Sequence, residues 1–124
     1  MSDILFIHPD EQRRADIGEG LADYGHDVVL AQDYIDGAVA LQQKKFDAVV
    51  CDTDLLFSLP LPRGSRSFVS MIRSDPSLSQ NAKTPVIALG RAPRSRDYAA
   101  TLDTSCSFPD TSWIHEVIGR VLSA

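Results

Sequence analysis

The chain has 124 residues, enough for one domain with a two- or three-layer core and too few for two domains of ordinary size. Hydrophobic residues make up 44% of it and charged residues 23%, and no apolar run reaches the roughly 20 residues that cross a membrane. The amino-terminal residues contain neither a basic stretch nor a small-residue cleavage site, so nothing there is typical of a secretory signal. We therefore expect a single domain over residues 1–124, in the cytoplasm, with no membrane partner.

The net charge of −5 is distributed unevenly along the chain. Residues 1–54 hold twelve acidic and four basic residues, whereas residues 55–97 hold seven basic residues against Asp75 and Asp97. A locally basic segment is complementary to an acidic protein surface, whereas the negative net charge of the whole chain argues against nucleic acid as the partner. The candidate partner-binding residues are Arg63, Arg66, Arg91, Arg94 and Arg96. A basic surface that is merely solvated is the alternative.

Short apolar runs alternate with segments of helical spacing along the whole chain. The first half contains three predicted strands, at Ile4–Ile7, Val28–Ala31 and Ala48–Cys51. Between the first two lies a helix that is capped by Asp10 and has Ile17, Leu21 and Tyr24 on one face. Between the second and third lies a helix with Ile35, Ala38 and Val39 on one face. The second half contains a helix with Phe68 and Ile72, a strand at Val86–Leu89, a short helix from Pro93 to Leu102 and a strand at Ser105–Phe108. A last helix, capped by Asp110 or Ser112, has five apolar residues on one face: Ile114, Val117, Ile118, Val121 and Leu122.

This alternation predicts an α/β fold in which a parallel sheet is covered on both faces by helices, giving three layers. Ligands of such open sheets bind beyond the carboxyl ends of the strands. Asp52 and Asp54 follow the third predicted strand at that edge. The other residues that arrive there are His8, Pro9 and Asp10 after strand one, Gly90 after strand four, and Ser107 and Phe108 at the end of strand five.

Two interpretations of the acidic residues remain open. Asp10, Asp52 and Asp54 are candidate ligands of a cation, or Asp10 caps a helix while Asp52 and Asp54 simply end the strand. His8 is either a ligand for a transition metal or a partly exposed side chain hydrogen-bonded to Asp52 or Asp54. Residues 55–64 are predicted to form an unusually apolar loop that either covers the acidic residues or binds a partner.

The order of these segments resembles the receiver domain of response regulators, the chemotaxis-regulator fold. The stretches that carry the resemblance are ILFIHPDE at 4–11, YGHDVVLAQD at 24–33, FDAVVCD at 46–52, SMIRSDP at 70–76, TPVIALG at 84–90 and SFP at 107–109. The resemblance implies a doubly wound, flavodoxin-like (βα)₅ sheet with strand order 2-1-3-4-5. It also implies a role in two-component signal transduction and a possible homodimer.

In that family the residue at the position of Asp52 accepts a phosphoryl group. Two acids after strand one hold Mg²⁺, a hydroxyl residue follows strand four, and a lysine precedes a proline after strand five. Here the acid pair falls on His8 and Pro9, the hydroxyl position on Gly90 and the lysine on Phe108. Asp52 alone matches the family pattern.

These departures predict a degenerate, stand-alone receiver that acts by protein–protein contact, without enzyme activity, phosphorylation or a cofactor. One alternative is a working phosphoacceptor in which Asp10 and Asp54 restore Mg²⁺ binding at Asp52. Another alternative is a flavodoxin-like domain that binds a small ligand at the strand edge. The partner and the pathway are not indicated by the sequence.

Two local expectations follow, one from the sheet order and one from the family resemblance. Strand four separates strands three and five, so Cys51 and Cys106 are expected to lie roughly 9–10 Å apart, too far for a disulfide bond. The family resemblance also implies a cis bond between Phe108 and Pro109.

Overall fold

A computed structural model describes residues 2–52, 68–90, 98–104 and 108–123. Several residues singled out above lie outside those ranges: Asp54, the apolar loop, Cys106, Ser107 and the arginines at 63, 66, 91, 94 and 96. Among the helices in the described ranges, none has the length and apolarity to span a bilayer.

Five parallel strands form one sheet in the order β2-β1-β3-β4-β5. They are β1 at Asp3–Ile7, β2 at Asp27–Ala31, β3 at Ala48–Asp52, β4 at Val86–Gly90 and β5 at Ala100–Asp103. β3 and β4 are buried along their whole lengths, which is why both read as uninterrupted apolar runs. The predicted three-layer fold and strand order are confirmed.

Helices cover both faces of the sheet. They are α1 at Glu11–Asp23, α2 at Tyr34–Gln43, α3 at Phe68–Ser74 and α4 at Thr111–Ser123, with a 3-10 helix at Pro76–Asn81. Because successive strand side chains alternate in direction, Leu5, Ile7 and Val49 pack in one hydrophobic cluster with α2 and α3. Ile4 and Phe6 belong to a second cluster, on the face covered by α1 and α4.

α1 and α4 are packed together at three levels. At the first, the Arg13 guanidinium lies over the Phe108 ring, which precedes α4. At the second, a Cβ atom added to Gly20 would lie 2.5 Å from Thr111 Cγ2, so any larger residue would require the Thr111 side chain to shift. At the third, His115 contacts Tyr24 and His26, just beyond the end of α1. We call this set of contacts the α1–α4 seam.

The buried face of α2 differs from the one predicted. Ile35 is 63% exposed and Val39 47% exposed, whereas Tyr34 and Leu41 are buried. Tyr34 stacks on Phe68, with ring centroids 4.4 Å apart, and its hydroxyl donates to the Asp52 carbonyl oxygen at 3.0 Å. The aromatic residue at the first position of the helix therefore sets its rotation, and the β-branched pair faces outward.

Strand five was predicted too late in the chain. β5 occupies Ala100–Asp103, where a helix ending at Leu102 was predicted, and its register with β4 runs from Ile87↔Ala100 to Gly90↔Asp103. Its pattern is that of an edge strand, with Leu102 buried and Thr101 and Asp103 exposed. Phe108 consequently lies in the connection to α4 rather than at the end of a strand.

Two local expectations have different outcomes. Cys51 is a free, buried thiol in β3, whereas Cys106 lies outside the described residues, so their separation stays a prediction. No peptide bond in the described ranges is cis, so the cis bond predicted between Phe108 and Pro109 is wrong.

Candidate functional site

The carboxyl edge of the sheet brings His8 and Asp52 together. β1 ends at Ile7 and β3 at Asp52, and the two strands are neighbours, with Ile7 opposite Cys51. His8 is 7% exposed and Asp52 8% exposed, and His8 Nε2 lies 3.8 Å from Asp52 Oδ2. His8 is therefore buried, not partly exposed as expected, and it faces the acid at a distance beyond an ordinary hydrogen bond.

The protonation of His8 is set by the backbone. The Asp10 N–H donates to His8 Nδ1 at 3.0 Å, so this nitrogen must be unprotonated and the ring proton of neutral His8 is on Nε2, facing Asp52. Burial lowers the pKa of His8, and the nearby Asp52 carboxylate only partly opposes the effect. His8 is thus held as a neutral N–H donor.

This arrangement does not suit His8 to metal binding. Coordination through Nε2 would move the ring proton to Nδ1, where it would meet the Asp10 N–H. The side chain of Asp10 is also occupied, because Oδ1 accepts from the Arg13 N–H at 3.0 Å and caps α1. That hydrogen bond is the main reason that the pKa of Asp10 is lowered. Pro9 has no side-chain ligand.

Phe108 also contacts His8. The two rings meet edge to face, with centroids 5.4 Å apart and planes at 81°. Arg13, in the first turn of α1, places its guanidinium carbon 4.2 Å from the Phe108 ring centroid, a cation–π contact. The order of groups along this edge is therefore guanidinium, phenyl ring, imidazole and carboxylate.

The neighbouring backbone fixes the rest of the edge. Gly90 ends β4, and its carbonyl oxygen accepts from the Thr104 N–H at 2.9 Å. No hydroxyl side chain is supplied at Gly90.

Burial, followed by the charge of Asp52, raises the pKa of the Cys51 thiol to about 12, so this sulfur is not a nucleophile in the native state.

Two arginines were not anticipated from the sequence. Arg14 donates to the His8 carbonyl oxygen at 2.8 Å, and Arg13 covers Phe108. Both follow the Asp10 cap by three or four residues, one helical turn, which places them at the same edge. Because the sequence already predicts Asp10 as the helix cap, this spacing would have been enough to predict that both arginines lie at the edge.

No family model matches the sequence, and no curated protein matches it either. Solved structures do match over nearly the whole chain. Chemotaxis response regulator CheY4 of Vibrio cholerae is 20% identical with a TM-score of 0.76, covering 98% of both chains. A response regulator from Desulfuromonas acetoxidans is 15% identical with a TM-score of 0.77, covering 99% of this chain and 98% of its own.

A third neighbour was determined with a metal. The receiver domain of the sensor histidine kinase PA1611 from Pseudomonas aeruginosa, with a magnesium ion coordinated in its active site cleft, is 19% identical with a TM-score of 0.74 and covers 99% of this chain and 98% of its own. At these identities the likeness establishes that the chain has the receiver-domain fold.

Proposed function

We propose that this chain is a signalling domain of the receiver type that acts through protein–protein contact, without phosphoryl transfer to Asp52 and without catalysis. The observation that carries the proposal is the composition of the Asp52 edge. A neutral imidazole and a phenyl ring stand at the positions to which the family resemblance assigns a metal-binding acid and a lysine.

The described residues of the edge do not fit Mg²⁺. This ion requires several oxygen ligands in a near-octahedral array. His8 directs an N–H toward Asp52, Pro9 contributes no side-chain oxygen, and the Asp10 carboxylate caps α1. We therefore propose that the domain works without this ion.

The described part of this edge also offers little compensation for a phosphoryl group. Stabilising its oxygens depends on cations and hydrogen-bond donors placed around them. Phe108 supplies neither, and the Arg13 guanidinium lies over the Phe108 ring. A phosphoryl group on Asp52 would add negative charge to a residue that is only 8% exposed.

Treatment with acetyl phosphate and Mg²⁺, followed by intact-mass measurement, tests the proposal. We expect the mass to remain unchanged, while a phosphorylatable receiver domain treated in parallel gains one phosphoryl group. Asp52→Asn should capture the same proteins from a native-cell extract as the wild type. An adduct localised to Asp52 would contradict the proposal and favour the phosphoacceptor alternative.

Restoring the family residues provides the matched comparison. The variant that combines His8→Asp, Pro9→Asp, Gly90→Thr and Phe108→Lys supplies the metal ligands, the hydroxyl and the cation. Adduct formation in this variant, but not in the wild type, would assign the loss of phosphorylation to these four positions.

A further inference from the structure

Three aromatic rings meet at the lower end of the α1–α4 seam, away from Asp52. His26 Nε2 and His115 Nδ1 lie 2.8 Å apart. Tyr24 stacks on His115, with centroids 4.0 Å apart and planes at 5°. Gly25, between Tyr24 and His26, has φ of 96°, a conformation open to glycine, and it turns the chain within this cluster.

The two imidazoles are arranged as a hydrogen bond rather than as a pair of metal ligands. Their centroids are 5.0 Å apart, close to the sum of the nitrogen–nitrogen distance and the two ring radii. The facing nitrogens therefore point along the line that joins the rings and do not converge on a point beside it. Such a bond requires one nitrogen with a proton and one without.

The surroundings of His26 disfavour a charged ring. Burial, the neighbouring His115 and the positive amino terminus lower the pKa of His26. His26 Nδ1 is buried and has no hydrogen-bond partner among the described residues, so a proton added there is not satisfied. The adjacent carboxylates have partners of their own, since Asp27 is 3.5 Å from Lys44 Nζ and Glu116 pairs with Arg120 at 2.6 Å.

We propose that the His26–His115 pair is a pH-sensitive clasp that fastens the first turns of α4 to the end of α1. When both rings carry a second proton, each facing nitrogen becomes an N–H donor and the two positive rings repel each other. Mild acid then releases α4 from the lower end of the seam. Tyr24 alone cannot replace the lost bond, because it contacts only one of the two rings in the pair.

The direction of the pH dependence follows from the lowered pKa of His26. In the unfolded chain this ring takes up its proton near the ordinary value of 6.5, whereas the folded state resists protonation to a lower pH. The unfolded state therefore binds more protons over that interval, and stability falls as the pH is lowered through it. The contribution is fully present above the unfolded value.

Hydrogen exchange of the α4 amides tests the clasp. Between neutral pH and about pH 5, and after correction for the intrinsic pH dependence of exchange, we expect opening at Thr111–Ser123 to increase roughly tenfold in the wild type. His115→Gln keeps a hydrogen-bonding side chain that does not become charged. Its exchange should therefore respond to pH clearly less than that of the wild type, because burial still disfavours protonation of His26 but no second positive ring faces it. All samples contain EDTA, to remove trace metal ions.

His8→Gln is the matched control, because it removes another buried histidine of lowered pKa and leaves the clasp in place. It should keep the wild-type response of α4.

Trp113, the one tryptophan in the sequence, lies on α4 and provides a fluorescence readout of the same transition. If His115→Gln is poorly folded at neutral pH by circular dichroism, His26→Gln takes its place. An equal response in the wild type and the clasp variant, or no response in the wild type, would overturn the proposal.

Discussion

At the scale of single residues, the character of the edge is decided by His8. A backbone N–H holds one of its nitrogens unprotonated, and burial disfavours the charged ring. The neutral ring therefore faces Asp52 with its N–H, at 3.8 Å from the carboxylate. A carboxylate at this position would instead place two negative groups side by side, as suits a site that binds a cation.

Replacing His8 by aspartate should expose this difference. At neutral pH we expect His8→Asp to be less stable than His8→Asn by about 1–3 kcal/mol, the free energy of raising a carboxyl pKa by roughly one to two units. The two variants lose the same imidazole contacts, so the difference between their free energies of unfolding in urea isolates the effect of the charge. Because the repelling carboxyls have raised pKa values in the folded state, the deficit should shrink as the pH falls and they are protonated.

Adding Mg²⁺ provides the second half of this measurement. The ion should restore part of the stability of His8→Asp and leave His8→Asn unchanged. Equal stabilities of the two variants at neutral pH, without Mg²⁺, would show that the position is too solvated for the charges to interact.

At the scale of elements, a buried asparagine joins the end of α2 to the start of β3. Asn81 is completely buried, and its Nδ2 donates to the carbonyl oxygens of Leu41 and Lys44, each at 2.8 Å. Its Oδ1 accepts from the Phe46 N–H and from the Thr84 hydroxyl, each at 2.9 Å. One side chain thus provides hydrogen-bond partners for backbone groups at the end of α2 and just before β3, and for the Thr84 hydroxyl just before β4.

Asn81→Ala should destabilise the domain by about 2–4 kcal/mol, because buried backbone groups lose their partners together. Gln80→Ala is the control. Gln80 is the preceding residue and also donates to α2 carbonyls, at 3.3 and 2.9 Å, but it lies at the surface. We expect that variant to lose less than about 1 kcal/mol in urea unfolding. Similar losses in both variants would show that water replaces Asn81 readily.

The elements that sequence reasoning placed correctly are those whose burial leaves a clear pattern. β3 and β4 are buried throughout and appear as continuous apolar runs, and α4 buries Ile114, Val117 and Ile118 at helical spacing. β5 was misplaced because an edge strand that contains Ala100 and one buried leucine looks like part of a helix. Its position depends on hydrogen bonds to β4, which are not local in the sequence.

The same limit applies to the candidate site. His8, Asp52 and Phe108 were expected at one edge, and the structure brings them together. The contact of Arg13 with Phe108 was not anticipated, because it depends on how α1 packs beside the segment before α4. Residues that end strands are placed by topology, whereas contacts between helices depend on packing detail.

At the scale of the whole molecule, the uneven charge is the feature that bears on partners. The basic segment falls between β3 and the region before β5, and its candidate arginines at 63, 66, 91, 94 and 96 lie outside the described residues. Their grouping on one surface is therefore a proposal from the sequence. An acidic partner would be steered to such a surface in a salt-dependent manner.

Arg94→Glu combined with Arg96→Glu should reduce capture of an acidic partner from a native-cell extract severalfold, measured by quantitative mass spectrometry. Lys45→Glu combined with Lys83→Glu is the matched control. It makes the same change of charge at exposed positions beside the amino ends of β3 and β4. Unchanged capture by the arginine variant would show that the basic segment is only a solvated surface. An equal loss in both variants would show that only the total charge matters.

The α1–α4 seam has a thermodynamic consequence that joins the two ends of the domain. The segment 108–123 carries Phe108 at the Asp52 edge and His115 at the histidine pair, and both contact α1 or the turn after it. If opening one end of the seam loosens the other, the two events share a coupling free energy, which is the same in both directions. A partner that displaces Phe108 would then make His26 easier to protonate, and acid would favour the binding of that partner.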